Sequence, residues 1–414
     1  MKTILVLAFD ISPYRGSEAA VAWNFVTNMS HSCKLIVLTV GENEELNNWL
    51  HNNVLENVTF HQVPWSDAGS FSWLTSRFKV CSDIKISFLY RKWHKLAYNT
   101  ALDIIRHQHV DVIHYLNPIG FKEPGYLWKI KDIPYVWGPL QGVENRPLAL
   151  LPILSWGGKV KVLIRRIIHN SMFLYMLRFK KALKRADQLF AATPNTVNQL
   201  KNIHHKDSIY LPENGILSME RTSPIRCEGY LRLIWVGSID ERKALGLLIL
   251  SLAKCQQKNW HLDVLGDGVL RTKCEQMAKK MGIYEKITFY GKVERTQVQR
   301  VFKRSHIHVI TSLGESNTTV LWEAFSKAIP TLTLDHCGMA GVVSSECGIK
   351  IRILSFAQVL NDIAQVIDDL ILHPEKVESL SLGCIECAKK FMWNNRIDLF
   401  NHIYDKLSKN ETIS

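Results

Sequence analysis

No apolar run in this chain reaches the roughly 18 to 20 residues that a membrane-spanning helix needs. The short apolar run after Met1, Ile4 to Phe9, ends at Asp10 and has no small-residue cleavage site. It reads as a first buried strand, not as a signal peptide. Nine cysteines among 414 residues follow no framework spacing. An odd, scattered set excludes a disulfide scaffold and points to a reducing cytoplasm. Cys384 and Cys387 form a lone C-x2-C with no second Cys or His pair nearby, so no zinc site is expected. Sequence repeats, low-complexity tracts and acidic tails are missing too. Gly266-Asp267-Gly268 lacks the third glycine of a dinucleotide fingerprint, which argues against a nicotinamide oxidoreductase.

Acid is absent from one long stretch. Between Glu144 and Asp187 there is none, while Arg146, Lys159, Lys161, Arg165, Arg166, Arg178, Lys180, Lys181, Lys184 and Arg185 are all basic. Large apolar residues such as Leu163, Ile164, Ile167, Ile168 and Phe173 lie between them. The net charge of +13 is concentrated in this half of the chain. A basic, apolar helical segment over 146–185 suits an anionic membrane surface. Its alternative is a long helix with a core face and a solvated basic face. No nucleic-acid-binding motif accompanies the charge, so nucleic acid is not an expected partner.

What is present is a regular alternation. Strand-like runs fall near 3–9, 34–40, 58–63, 110–115, 133–137, 187–192 and 208–211, with helical segments between them. After Asn214-Gly215, a polar stretch from Leu217 to Gly229 reads as a linker. The alternation then restarts at Leu231 and continues near 261–265, 286–290, 306–311, 330–334 and 348–352. This pattern predicts an α/β protein of two doubly wound, Rossmann-like domains, 1–215 and 216–390. The segment 391–409 reads as an amphipathic helix that crosses back onto the first. Such domains bind ligands in the crevice outside the carboxyl ends of their strands.

The loops at those strand ends carry the candidate chemistry. After Ile307-His308-Val309-Ile310-Thr311, the turn Ser312 to Ser316 leads to Asn317 and Thr318, either of which can cap a helix running toward Pro330. Its start suits a phosphate. Thr319 and Glu323 lie on one face of that helix, about 6 Å apart along its axis. A nucleoside diphosphate could place its phosphates at the helix start and its ribose against Glu323. Glu315 would then face whatever hangs from the terminal phosphate. Gly16, before a helix beginning near Ala19, allows close backbone approach to an anion. Gly237-Ser238 leads to Arg242 and Lys243, which can neutralise a leaving diphosphate. His114 ends a strand and can hydrogen-bond a sugar hydroxyl.

Taken in order, Gly16-Ser17-Glu18, Asn214-Gly215, Gly237 with Lys243, Gly266-Asp267-Gly268, Glu315-x7-Glu323 and Gly338 with Gly341 resemble the retaining glycosyltransferases of family 4. Glu123-Pro124-Gly125 with Trp137-Gly138-Pro139 resembles bacterial members that build surface polysaccharides. The resemblance implies the two-domain GT-B fold with a central cleft and a nucleotide-sugar donor held mainly by the second domain. It also implies retention and no bound metal or other cofactor. Carried over, Glu323 binds the ribose, Glu315 the donor sugar, and Lys243 the diphosphate. Gly16, Gly237, Ser238, Gly266, Asn317, Thr318 and Thr319 shape the donor site, with His114 and Arg242 beside the chemistry. The implied acceptor is a lipid-linked or lipopolysaccharide glycan at the cytoplasmic face of a membrane. The chain departs from the family at Ser238, where an arginine is usual. It departs again at Leu116, where a second histidine is often found, and at Asn317 to Thr319, where small glycines are usual.

Overall fold

The computed structural model describes residues 1–65 and 79–409. They form two compact units, each built on one parallel sheet. The first sheet contains β1 (Lys2–Ala8), β2 (Cys33–Val40), β3 (Val58–Val63), β4 (Val112–Asn117), β5 (Tyr135–Leu140), β6 (Gln188–Ala191) and β7 (Ile209–Tyr210). Its strand order is β3-β2-β1-β4-β5-β6-β7. The second contains β8 (Leu231–Val236), β9 (Trp260–Leu265), β10 (Ile287–Gly291), β11 (Ile307–Ile310), β12 (Thr331–Leu334) and β13 (Gly348–Ile351), in the order β10-β9-β8-β11-β12-β13. Both are doubly wound Rossmann-like sheets, and each expected strand is present within a few residues. The strands are near-continuous apolar runs because helices cover both faces of a parallel sheet. In β1, Ile4 to Ala8 are all fully buried.

The two units are not simple halves. The first holds Met1–Val143, Asn170–Glu213 and Asn394–Ser414, and the second holds Glu144–His169 and Asn214–Trp393. The terminal helix Trp393–Ser408 therefore contributes mainly to the first unit. There Arg396 donates to the Pro212 carbonyl at 2.7 Å.

The placement of 144–169 differs from the expected boundary at 215. Its short 3-10 turn, Leu148–Ile153, carries Leu150 into the core that holds Leu233, Leu245 and Leu248. Leu154 and Val162 join the same core. Gly246 leaves room for Ile153, whose Cδ1 would lie 3.4 Å from an added Cβ. The Ser155 N–H donates to the Glu241 carboxylate at 3.0 Å, which ties down the start of the helix Trp156–Tyr175. Burial of those aliphatic side chains, at about 25 cal/mol per Å2, outweighs sequence proximity to the first unit.

Val162 is buried, and Arg165, Arg166 and His169 follow it on one face, lining a cavity. The apolar residues Trp156, Val160, Leu163, Ile164, Ile167 and Ile168 are exposed. Arg166 and His169 are half-buried, while Lys161 and Arg165 are exposed, so basic and apolar side chains of this helix both meet solvent.

Gly266 holds the ends of β8 and β9 together. Its φ is +131°, and an added Cβ would sit 1.9 Å from the Gly237 carbonyl oxygen. Gly266→Ala is expected to destabilise the second unit by about 2 kcal/mol or more. Equilibrium urea unfolding checks this, and an unchanged midpoint would contradict it.

Candidate functional site

In the second sheet the order reverses between β8 and β11, so the loops after them diverge and leave a crevice at their carboxyl ends. Hydrogen bonds lock these two loops together. Leu313 N–H donates to the Arg242 carbonyl at 2.8 Å. The Thr311 hydroxyl donates to the Lys243 carbonyl at 2.9 Å and accepts from Trp235 Nε1 at 3.1 Å. Asp240 Oδ1 accepts from the N–H groups of both Arg242 and Lys243 at 2.8 Å. Ser238 donates to the other Asp240 oxygen at 3.1 Å. The Lys243 stem passes Gly237, with Cε 3.2 Å from where a Cβ would stand.

The result is a compact charge cluster. Lys243 Nζ donates to Glu315 at 2.8 Å, and Arg242 Nη1 pairs with the other oxygen of the same carboxylate. The Lys243 and Glu315 side chains are only 12% and 13% exposed, so the pair is poorly screened. Burial pulls the Lys243 ammonium down to about 8, Arg242 adds to this, and Asp240 opposes it. Glu315, in contact, favours the charged form. Two cations share one carboxylate, with the Asp240 carboxylate beside Lys243 as well.

The helix Thr319–Ser326 begins four residues after Glu315. Thr318 is its N-cap and makes no capping bond with its side chain. The loop before it packs tightly. Gly338 N–H donates to the Glu315 carbonyl at 3.3 Å, and a Cβ on Gly338 would fall 1.2 Å from the Ser316 carbonyl oxygen. Leu321, Trp322 and Phe325 bury one face of the helix against Met339 and Val342. Glu323 leaves from the other side. Its carboxylate accepts from Gln299 Nε2 at 3.3 Å and has Arg295 at 3.8 Å. Burial raises its pKa, although Arg295 and Lys327 counter this.

Of the residues singled out from the sequence, Gly237, Ser238, Arg242, Lys243, Gly266, Glu315, Asn317, Thr318, Thr319 and Glu323 all belong to this unit. Gly16 and His114 belong to the other. Gly16 is the N-cap of the helix Ser17–Met29, without a side-chain cap. Its neighbour Arg15 is neutralised by Asp10 at 2.7 Å and Glu45 at 2.6 Å. His114 has to be corrected. It has no exposed surface, and both ring nitrogens are engaged. Nε2 donates to the Gly138 carbonyl at 2.7 Å, which leaves Nδ1 to accept from Tyr404 Oη at 2.6 Å. Phe25 and Phe400 flank the ring. It is a neutral core residue with no atom left for a sugar.

Sequence reasoning passed over three contributors: Trp235, Thr311 and Asp240, which position the cations. Pairing across 76 residues leaves no local pattern. Glu18, in the first unit, lies in the first turn of the helix Ser17–Met29. Burial raises its carboxyl to about 7, with Asp10 adding to the effect. Among the described residues no group of His, Cys, Asp or Glu is arranged to hold a metal ion.

Residues 221–382 match the family described as glycosyl transferases, group 1. The phosphatidylinositol N-acetylglucosaminyltransferase gpi3 subunit of Schizosaccharomyces pombe is 25% identical over 185 residues, 43% of this chain and 39% of that protein. The chain spans about half or less of the length of the curated relatives it matches. Among solved structures, the lipopolysaccharide outer core galactosyltransferase WaaB superimposes with a TM-score of 0.66 at 17% identity, covering 98% of this chain and 99% of that one. Anabaena HepE, solved with UDP and glucose, gives 0.61 at 13% identity, covering 98% and 100%. The fold is that of the two-domain, Rossmann-like glycosyltransferase structures.

The His114 environment has a measurable consequence. Burial lowers its folded pKa to about 4, against about 6.5 in the unfolded chain. Below pH 6.5 the unfolded state binds the extra proton, so this contribution is complete above 6.5 and declines as pH falls toward 4. Across that window it amounts to about 3 kcal/mol. His114→Gln is expected to flatten the fall in unfolding free energy between pH 6.5 and 4.5, measured by urea titration. An unchanged slope would contradict the neutral, buried ring.

Proposed function

Starting from a second unit that matches the group 1 glycosyl transferases, we propose that this chain moves a sugar from a nucleotide-sugar donor to a growing lipid-linked or lipopolysaccharide glycan, with retention. The observation that carries this is the cation pair Arg242 and Lys243, held by Glu315 at the β8–β11 crevice. In the free protein the carboxylate occupies the place of a counter-ion. A donor diphosphate brings two negative charges and takes over the cations, which releases Glu315 toward the donor sugar. The uncapped helix start at Thr318 and Thr319 offers N–H groups to the same phosphates. Glu323 accepts hydrogen bonds from the ribose hydroxyls.

In the reaction the bond from the anomeric carbon to the diphosphate oxygen breaks. A bond forms to the acceptor hydroxyl on the same face, and the acceptor's proton passes to the departing diphosphate. The negative charge that develops there is met by Lys243 and Arg242, the main catalytic contribution. The chain's own cations supply the charge that a bound metal supplies elsewhere.

The acceptor side rests on the outward face of the helix Trp156–Tyr175. No described helix is long and apolar enough to cross a membrane. Trp156, Ile164 and Ile167 are 80%, 52% and 68% exposed, on the segment with no acid. Such a face lies in the interfacial region of an anionic bilayer at the cytoplasmic side. Flotation with phosphatidylglycerol vesicles at low salt is expected to carry the protein upward, and Ile164→Glu with Ile167→Glu to leave it at the bottom. Equal flotation of both would contradict the membrane role.

Transfer itself is tested with radiolabelled nucleotide sugars and a membrane extract. Lys243→Ala is expected to slow transfer about a hundredfold. Glu323→Ala is expected to raise the donor KM about tenfold, the cost of one charged hydrogen bond. Variants that transfer as well as the unaltered chain would refute the site.

A further inference from the structure

An open cavity of about 50 Å3 lies beside the charge cluster. Arg146, Arg165, Arg166, His169 and Arg242 line it, together with Glu144. All belong to the second unit. Arg146 is held against the site, its Cγ 3.7 Å from where a Cβ on Gly314 would stand, one residue before Glu315. Arg165, which is exposed, and the half-buried Arg166 and His169 come from one side of the helix Trp156–Tyr175.

These cations are only partly balanced from within. Arg242 shares Glu315 with Lys243. Among the described residues, no hydrogen bond or ion pair is made by the Arg146, Arg165 or Arg166 guanidiniums. The acids nearby keep their charge and offset part of the positive charge, Glu241 and Asp240 acting on Arg146, but their bonds go to neutral donors. Asp240 takes two backbone N–H groups and Ser238, Glu241 takes the Ser155 N–H, and Glu144 takes the Cys337 thiol. Arg146 and Arg165 each have their pKa lowered, first by burial and then by neighbouring arginines, with Glu241 and Asp240 opposing this at Arg146. Like charges gathered in a cavity and only partly offset are unfavourable, and an anion bonded to the guanidiniums would relieve them. Guanidiniums converging from two chain segments suit a tetrahedral, multiply charged group that accepts bidentate bonds.

Resting on the donor reading above, we propose that this cavity holds a phosphate group carried by the acceptor, next to and separate from the diphosphate of the donor. Lys243 and the helix start at Thr318 serve the donor. Arg146 and Arg165 serve the second anion, and Arg242 stands between the two. The acceptor is then a phosphorylated glycan or a lipid-linked phosphate, not a neutral sugar. Binding its phosphate here places it at the leaving-group side of the donor.

The test is calorimetric titration of inorganic phosphate into the full chain, saturated with the tightest binder among UDP, GDP, ADP and dTDP. Phosphate is expected to bind the saturated protein. Arg146→Gln with Arg165→Gln is expected to weaken it at least tenfold and to leave the nucleotide affinity within twofold, which also reports that the variant folds. Arg165→Lys, which keeps the charge and loses the fork, is expected to fall between. Three results would overturn the proposal. The first is phosphate displaced by the nucleotide, which makes the cavity part of the donor cradle. The second is phosphate binding unaltered, or absent altogether, in both the unaltered chain and the variants. The third is a preference for UDP-glucuronate over UDP-glucose that the arginine variants abolish, which puts the anion on the donor sugar. If no nucleotide binds, the donor reading fails, while phosphate binding lost in the variants still reports the arginine cavity.

Discussion

One carboxylate shared by two cations organises the second unit. Glu315 reaches across 73 residues of sequence to Arg242 and 72 to Lys243. Removing the acid would take the shared partner from Lys243, which is 12% exposed, and from Arg242, which is 38% exposed. The backbone agrees with the ion pair. Leu313 bonds to Arg242, and the Thr311 hydroxyl bonds to Lys243, so the loops stay in register whether or not the salt bridge is made. That gives the site two properties at once. The cations are preorganised, and their counter-ion can be exchanged for a more highly charged one.

Around this cluster the fold adds a second layer that is distant in sequence. The segment 144–169 is anchored by Leu150, Leu154 and Val162 in the core under β8, and by Glu241 at the start of its helix. Glu241 lies one residue before Arg242. The same short loop that aims the cations also fixes the helix that brings Arg165 and Arg166 to the cavity. Apolar burial holds the helix there, and the charges it carries are held against their mutual repulsion by that burial. Its outward apolar residues are left exposed among the described residues.

The sheets were legible because each strand is a short apolar run bounded by turn residues, and because the alternation with helices leaves few topologies for a parallel sheet. Glu315 and Glu323 were legible through their spacing after a strand. The membership of 144–169 was not. Leu150, Leu154 and Val162 announce a buried face, but nothing in their spacing says which core receives them. Helical periodicity likewise gave two faces to residues 156–169 without saying how much of each water would see. His114 looked like a strand-end ligand because its partner Tyr404 lies 290 residues away, and the pair exists only once the terminal helix has docked. Trp235 and Thr311 were illegible for the same reason: hydrogen bonds between separate strands leave no local signature.

The exchange of Glu315 for a diphosphate is the central claim, and it has a sign that few other arrangements share. Calorimetric titration of a nucleoside diphosphate into Glu315→Gln tests it directly. With the internal competitor removed, the freed cations should bind the diphosphate about tenfold more tightly than in the unaltered chain, a gain of about 1.4 kcal/mol. Weaker binding in Glu315→Gln would show that the carboxylate supports the diphosphate site instead of occupying it, and would contradict the exchange.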